Sequence, residues 1–352
     1  MPSPQTHGCS ARTVSPADGA GQWLGRPTAP RCGRLATVAA TPCERQHRAD
    51  GRWGAIVTKE QAPGRAGRDV RRPTRLVERW TSIDGGRVFY RESVSPPDAP
   101  AMLHVHGFGL SGRYLLPTAE RLADEFHTLV PDLPGFGRSA KAADALDVPD
   151  LADAAARFLD DRGVERATLI GNSMGCPVIC EFAYRHPDRI DRAVLVSPAG
   201  GIHNQPFRRA AGQLARDGVR EPTRLVGVVT PDYLRFGVPS TAKMFRSLTK
   251  YPSLERLLEL EVPTLVVLGS RDPLMPGPAR VQEVASQTEN HVLVVRIEGA
   301  AHAINFSHPG ELAHLVRLFM ADRPIVDDPD SPGLASVVEI YRGVHHPPER
   351  TD

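Results

Sequence analysis

No run of this 352-residue sequence approaches the roughly 18 consecutive apolar residues that a membrane-crossing helix requires, so no membrane span is expected. Cysteine is scarce and odd in number. Of five, Cys9, Cys32 and Cys43 lie near the start, and Cys176 and Cys180 stand four apart in the middle. That excludes the disulfide framework of a small secreted domain and favours a reduced, cytoplasmic setting. The stretch from Met1 to Thr41 lacks the continuous apolar core of a secretory signal. A basic body is lacking too. Residues 1–75 carry 13 Lys and Arg against 5 Asp and Glu, a net of +8, whereas the remainder carries 30 against 36, a net of −6. A mildly acidic body argues against a nucleic-acid site, and the expected partner is a small-molecule substrate. Oligomeric state leaves no mark in the sequence.

What is present is enough chain for one large α/β domain, or two small ones, with a core that can be stable without disulfides. Residues 1–73 are rich in Arg, Pro and Gly, with apolar residues scattered without period. We read them as a disordered tail; an Arg-rich targeting or nucleic-acid arm, or a translation start further in, stays open. Order is expected from Thr74. Two alternating stretches around Trp80 and Phe89, separated by Asp84-Gly85-Gly86, predict an antiparallel hairpin. Short apolar runs follow at Met102–Val105, Thr128–Val130, Ala167–Ile170, Ala193–Val196, Thr264–Leu268 and Val292–Val295. Such runs suit strands buried on both faces of a parallel sheet, and helical stretches such as Leu151–Asp161 and Pro177–Tyr184 lie between them. The expected fold is therefore α/β, a mostly parallel sheet flanked by helices, with its site at the carboxyl ends of the strands. The core would comprise residues 74–199 and 261–321. Between them, residues 200–260 read as helical pieces broken at Pro222, Pro231, Pro239 and Pro252, a cap or lid over the site. Residues 322–352, rich in Pro and Asp, read as a loose C-terminal tail.

The chemistry-bearing motif is Gly171-Asn172-Ser173-Met174-Gly175. By composition alone a chain of this length meets Gly-x-Ser-x-Gly about 0.1 times by chance. Here a strand run precedes it and a helical run follows, the setting in which a serine hydroxyl projects above a sheet from a tight, strained turn. A serine hydroxyl is a weak nucleophile at neutral pH and needs a base, which in turn needs an orienting acid. His302, in Gly299-Ala300-Ala301-His302-Ala303 after the last strand run, is the expected base. His308 precedes Pro309 and reads as a helix-entry residue, and His291 lies before its strand, at the wrong edge. Asp272, in Ser270-Arg271-Asp272-Pro273 after the penultimate run, is the expected acid; Asp132 and Glu298 are weaker rivals.

Acyl transfer also needs backbone donors aimed at the oxyanion. His106-Gly107-Phe108-Gly109 follows the strand run Met102–Val105. The amides of Phe108 and Met174 are the expected oxyanion hole, with His106, Gly107 and Asn172 as substrate-binding neighbours. Asp132 and Ser139, in Asp-Leu-Pro-Gly-Phe-Gly-Arg-Ser, read mainly as supports of a scaffold turn.

These motifs, in this order, resemble the α/β-hydrolase superfamily from about Thr74 to Ala321. The resemblance implies a capped sheet of about eight strands, a Ser-Asp-His triad, and neither cofactor nor metal. A serine nucleophile departs from the branches that use aspartate. Asn172 is similar to the meta-cleavage-product hydrolases, but those carry Trp after the catalytic histidine where this chain has Ala303. The expected activity is hydrolysis of a carboxylic ester, thioester or lactone of a small apolar substrate through an acyl-enzyme. The alternatives are C–C bond hydrolysis, for which Arg208 and Arg209 would supply cap cations; acyl transfer to another acceptor; and a non-catalytic binding protein on the same fold. The cap aromatics Phe207, Tyr233, Phe236, Phe245 and Tyr251, with Met244, read either as pocket lining or as core.

Overall fold

The computed structural model describes residues 75–96, 98–141, 146–198, 221–275, 286–287, 292–325 and 337–342. The expected N-terminal tail, the first part of the expected cap with Phe207, Arg208 and Arg209, His291, and most of the expected C-terminal tail lie outside these residues.

The chain opens as the expected hairpin. Strand β1 (Leu76–Ile83) pairs antiparallel with β2 (Gly86–Ser93), residue for residue from Leu76 against Ser93 to Ile83 against Gly86. Asp84 and Gly85 between them have φ of 50° and 78°, the left-handed pair that a two-residue turn needs to match the strands' twist. Strands β3 (Ala101–Val105), β4 (His127–Pro131), β5 (Ala167–Asn172), β6 (Ile190–Val196), β7 (Thr264–Gly269) and β8 (Val292–Ile297) then run parallel. With a last strand, β9 (Val337–Arg342), the order across the sheet is β1-β2-β4-β3-β5-β6-β7-β8-β9. The chain leaves β3 towards one edge to form β4 and returns to the other side for β5. The carboxyl ends of β3 and β5 therefore flank a switch point, where loops diverge and a crevice opens.

The parallel strands are apolar on both faces because both are covered. Leu103, Val105, Leu169, Leu195 and Val266 join one core with helices α2 (Val148–Asp161) and α3 (Gly175–Arg185). Their neighbours Met102, Ile170, Val194 and Leu265 join a second core with α1 (Leu116–Leu122) and the helix Pro309–Met320. Side chains alternating across each strand produce this division. Helix α2 begins at a reciprocal capping box between Asp147 and Asp150.

The expected insertion contains α4 (Thr223–Phe236), α5 (Val238–Lys250) and α6 (Ser253–Leu258). Pro222, Pro239 and Pro252 stand at helix starts, where a missing N–H costs nothing. Pro231 departs from expectation: it lies inside α4 and does not break it. The residue four back, whose carbonyl the ring crowds and leaves without its helical N–H, is Gly227, which has no side chain to add to the crowding. Helices α7 (Ile304–Ser307) and α8 (Pro309–Met320) close the core, with His308 at the α8 N-cap.

One further strand departs from the expectation of eight. Strand β9 (Val337–Arg342), inside the segment expected to be a loose tail, pairs antiparallel with β8. Its Pro- and Asp-rich surroundings mask a short run of β-branched and aromatic residues, Val-Val-Glu-Ile-Tyr, suited to covering the edge of a sheet.

Candidate active site

Ser173 sits between β5 and α3 with a φ of 57°, a left-handed conformation that costs a non-glycine residue on the order of 1–2 kcal/mol. The turn is too tight for side chains on either flank. A Cβ on Gly171 would stand 2.7 Å from the carbonyl carbon of Gly175, and one on Gly175 would collide with the Val105 carbonyl oxygen at the end of β3. Beneath the turn the buried Cys176 thiol lies 3.3 Å from the Gly171 carbonyl and 3.4 Å from that of Val196. Burial pushes this thiol's pKa well above its ordinary range, so it is a packed neutral group. Helix α3 starts directly behind Ser173 and directs the positive end of its dipole there.

Asp272 and His302 come from loops after β7 and β8. Asp272 Oδ2 lies 2.8 Å from His302 Nδ1, and its Oδ1 accepts the Leu274 N–H at 2.8 Å. The carboxylate is fully buried and the imidazole nearly so. The two loops interlock: the Arg271 N–H donates to Ala300 O at 2.9 Å, and the Gly299 N–H to Ser270 Oγ at 2.9 Å. Gly269 admits no Cβ because the Ala300 carbonyl oxygen occupies that space. The N–H after the histidine, that of Ala303, donates to Glu221 Oε1 at 2.6 Å, so a carboxylate at the start of the described insertion also fixes this loop.

The loop after β3 lies against Ser173: a Cβ on Gly107 would be 3.3 Å from the Ser173 Cβ. Neither the Phe108 N–H nor the Met174 N–H has a protein acceptor among the described residues. His106 is fully buried. Its Nε2 accepts the Leu133 N–H at 3.0 Å, so Nδ1 carries the proton and donates to the Gly107 carbonyl at 3.0 Å. Burial lowers its pKa, against the opposing hydrogen bond to Gly107, and it stays the neutral tautomer. Asn172 is engaged on every polar atom: Oδ1 accepts from Tyr114 Oη at 2.8 Å, and Nδ2 donates to Val196 O and His302 O, each at 3.1 Å. Both ring nitrogens of His106 and the whole amide of Asn172 are thus committed inside the protein.

Asp132 lies apart from the Asp272–His302 pair. Its two oxygens accept the Gly112 N–H at 2.9 Å and the Arg138 N–H at 2.8 Å. Ser139 Oγ accepts the Phe89 N–H at 2.9 Å and donates to Asp132 O at 2.5 Å. Tyr114, Glu221 and Asp232 carry no signal in the sequence. Tyr114 is fully buried, and its hydroxyl accepts the Gly107 N–H at 2.8 Å. No periodicity or motif marks these residues, since their partners are distant in the chain. Above the Gly107–Gly109 loop, Phe108 meets Phe236 and Phe245 edge-on at 6.0 and 6.2 Å, and Phe236 stacks on Phe136 at 4.7 Å. Phe236, Met244 and Tyr251 are core residues rather than free pocket lining, while Tyr233 and Phe245 are half-buried.

Among the described residues no helix is long and apolar enough to cross a membrane. A model of the Alpha/beta hydrolase family matches residues 102–315. Among curated proteins, the chain is 35% identical over 121 residues to the dihydrolipoyllysine-residue acetyltransferase component of the acetoin cleaving system of Cupriavidus necator, covering 34% of this chain but only 32% of that protein. It is 27% identical over 273 residues to the pimeloyl-[acyl-carrier protein] methyl ester esterase of Neisseria meningitidis serogroup A, covering 70% of this chain and 85% of that one. Among solved structures, a membrane phospholipase A described as a bacterial virulence factor superposes with a TM-score of 0.61 at 26% identity, covering 71% of this chain and 87% of the other.

Proposed function

The chain belongs to the alpha/beta hydrolase family, and from that premise we propose that it is a hydrolase that cleaves a carboxylic ester, with Ser173 as nucleophile, His302 as base and Asp272 as orienting acid. The observation that carries this reading is the buried Asp272–His302 contact at 2.8 Å, set beside a serine held at a φ of 57°. An ester is the substrate class favoured by the methyl ester esterase relative, which aligns over most of its length.

In this mechanism Ser173 Oγ attacks the ester carbonyl carbon while its proton passes to His302 Nε2. The imidazolium so formed keeps its Nδ1–H on Asp272, whose buried carboxylate holds the tautomer and stabilises the charge. The carbonyl oxygen, now negative, is bound by the Phe108 and Met174 N–H groups, with the α3 dipole behind them. His302 then protonates the departing alcohol, and water attacking by the same route releases the acid. His106, Gly107 and Asn172 act as supports of the surrounding loops: their polar atoms hold backbone in place, and Gly107 provides the room. The half-buried Phe108 and Phe245 rings above the loop suit an apolar acyl or alcohol group.

Acyl transfer to an acceptor other than water is a second reading, favoured by the 35% identity to the acetyltransferase component over 121 residues. The same Ser173, His302 and Asp272 serve it.

A panel of chain-length-graded p-nitrophenyl esters, run on wild type and Ser173→Ala, tests the proposal. Turnover should fall by about 10³-fold or more in the variant, to what the oxyanion hole alone provides. Undiminished turnover in a folded Ser173→Ala overturns the assignment. Added alcohols or amines separate the two readings, since new esters or amides among the products mark acyl transfer.

A further inference from the structure

We infer that Asp232, on α4, is a positioning residue that latches the oxyanion loop from the cap side, so that the hole is assembled only when the cap is seated. The inference rests on the reading of Phe108 as an oxyanion donor.

The loop from Gly107 to Ser111 does little to hold its own shape. Its one internal backbone bond, from the Leu110 N–H to Gly107 O, is long at 3.3 Å, and Gly109 turns with a φ of 69°. It is instead held at both ends from outside. At the β3 end, Tyr114 Oη takes the Gly107 N–H and His106 Nδ1 donates to the Gly107 carbonyl. At the far end, Asp232 Oδ2 accepts both the Ser111 N–H at 2.9 Å and the Ser111 hydroxyl at 2.6 Å. Phe108 lies between the two anchors.

The first anchor belongs to the core and the second does not. Asp232 comes 121 residues after Ser111, from the insertion. Ser111 is buried and Asp232 half-buried, and two hydrogen bonds to one carboxylate oxygen are of the stronger, charge-assisted kind. The same turn of α4 presses on the loop at two further points. A Cβ on Gly109 would stand 2.7 Å from the Tyr233 ring, and Phe236 packs against Phe108. Asp232, Tyr233 and Phe236, at positions i, i+1 and i+4, therefore grip Ser111, Gly109 and Phe108 in turn. If α4 lifts to admit substrate, all three contacts are lost together and the Phe108 N–H loses its fixed aim. Reseating restores it, which makes stabilisation of the oxyanion conditional on cap closure.

The test compares Asp232→Ala, Asp232→Asn and Ser111→Ala with wild type in the full chain. The readouts are ester kinetics, the rate of labelling by a fluorophosphonate probe, and hydrogen exchange across residues 107–115. Asp232→Ala should lower kcat about tenfold or more with KM changed less than about threefold, because donor alignment is loosened rather than removed. Probe labelling should slow in parallel and exchange at Ser111 should quicken. Asp232→Asn retains an oxygen able to accept both Ser111 donors and should rescue kcat to within about threefold; Ser111→Ala should be intermediate. Wild-type kcat in Asp232→Ala, an effect confined to KM, or unchanged exchange overturns the latch. Failure of the hydrolase assignment reads differently: wild type itself would neither turn over esters nor label at Ser173, whereas the exchange comparison still decides whether Asp232 holds the loop.

Discussion

The side-chain amide of Asn172 donates to the main-chain carbonyl of His302 at 3.1 Å, joining the strand that carries the proposed nucleophile to the loop that carries the proposed base. The same amide accepts from Tyr114, whose hydroxyl holds the Gly107 N–H. One buried chain of hydrogen bonds therefore runs from the loop after β3, past Ser173, to the loop after β8.

Cutting this chain at either residue should cost both stability and rate. Tyr114→Phe leaves a buried N–H and a buried amide oxygen without a partner, a penalty of about 1–3 kcal/mol. Asn172→Ala removes the amide that donates to the His302 carbonyl and the oxygen that accepts from Tyr114, while the Val196 carbonyl keeps the Ser173 N–H at 3.0 Å. Because the two residues share one bond, the double variant should lose less than the sum of the single losses, with a coupling of about 0.5–3 kcal/mol. Urea unfolding of the four proteins measures the coupling, and simple additivity would remove the network from the account.

Two glycines should respond differently to alanine although one argument, backbone freedom, is commonly applied to both. Gly163, after α2, has a φ of 64° but nothing within 4 Å of where a Cβ would stand. Gly163→Ala should cost about 1 kcal/mol, the conformational term alone, with full ester turnover. Gly175→Ala drives a methyl group into the Val105 carbonyl, so either the end of β3 or the serine turn must move. We expect a loss of about 3 kcal/mol or more, and of most activity. Equal losses from denaturant unfolding would contradict the steric account.

His104, fully buried on β3 with no partner for either ring nitrogen among the described residues, should weaken the fold in acid. Burial lowers its pKa from 6.5 to about 3. Above pH 6.5 it is neutral in both the folded and unfolded chain and adds no pH dependence. Between pH 6.5 and about 3 the unfolded chain takes up a proton that the folded chain refuses, so stability falls as pH is lowered, at up to ~1.4 kcal/mol per pH unit. His104→Leu removes the titration. The stability difference between pH 7 and pH 5 should then shrink by about 2 kcal/mol; if it is the same in both proteins, His104 is not the source.

Much of the framework is local and could be read from residues in order. The hairpin follows from Asp84-Gly85-Gly86, the parallel strands from apolar runs too short for helices, and the Ser173 turn from two glycines between a strand and a helix. Two local readings went astray for local reasons. Pro231 lies within α4, where Gly227 four back has no side chain to add to the crowding around its ring, and β9 is hidden by its flanks.

What a linear reading could not supply is which polar atoms meet. Asp272 and His302 are 30 residues apart, Tyr114 and Asn172 58, and Ser111 and Asp232 121. Motif order could nominate the first pair, because both residues follow late strands. Nothing nominates the others: a hydrogen bond has no period along the chain, and an isolated Tyr or Asp reads the same in a core, a cap or on a surface. Neighbouring residues along the chain are enough to place the sheet, the serine turn and the order of the proposed reacting groups. That His106 and Asn172 have their polar atoms committed to backbone and to Tyr114, and that a carboxylate on α4 reaches the loop beside Phe108, emerges with folding alone, because burial and distance exist only once the chain has closed on itself.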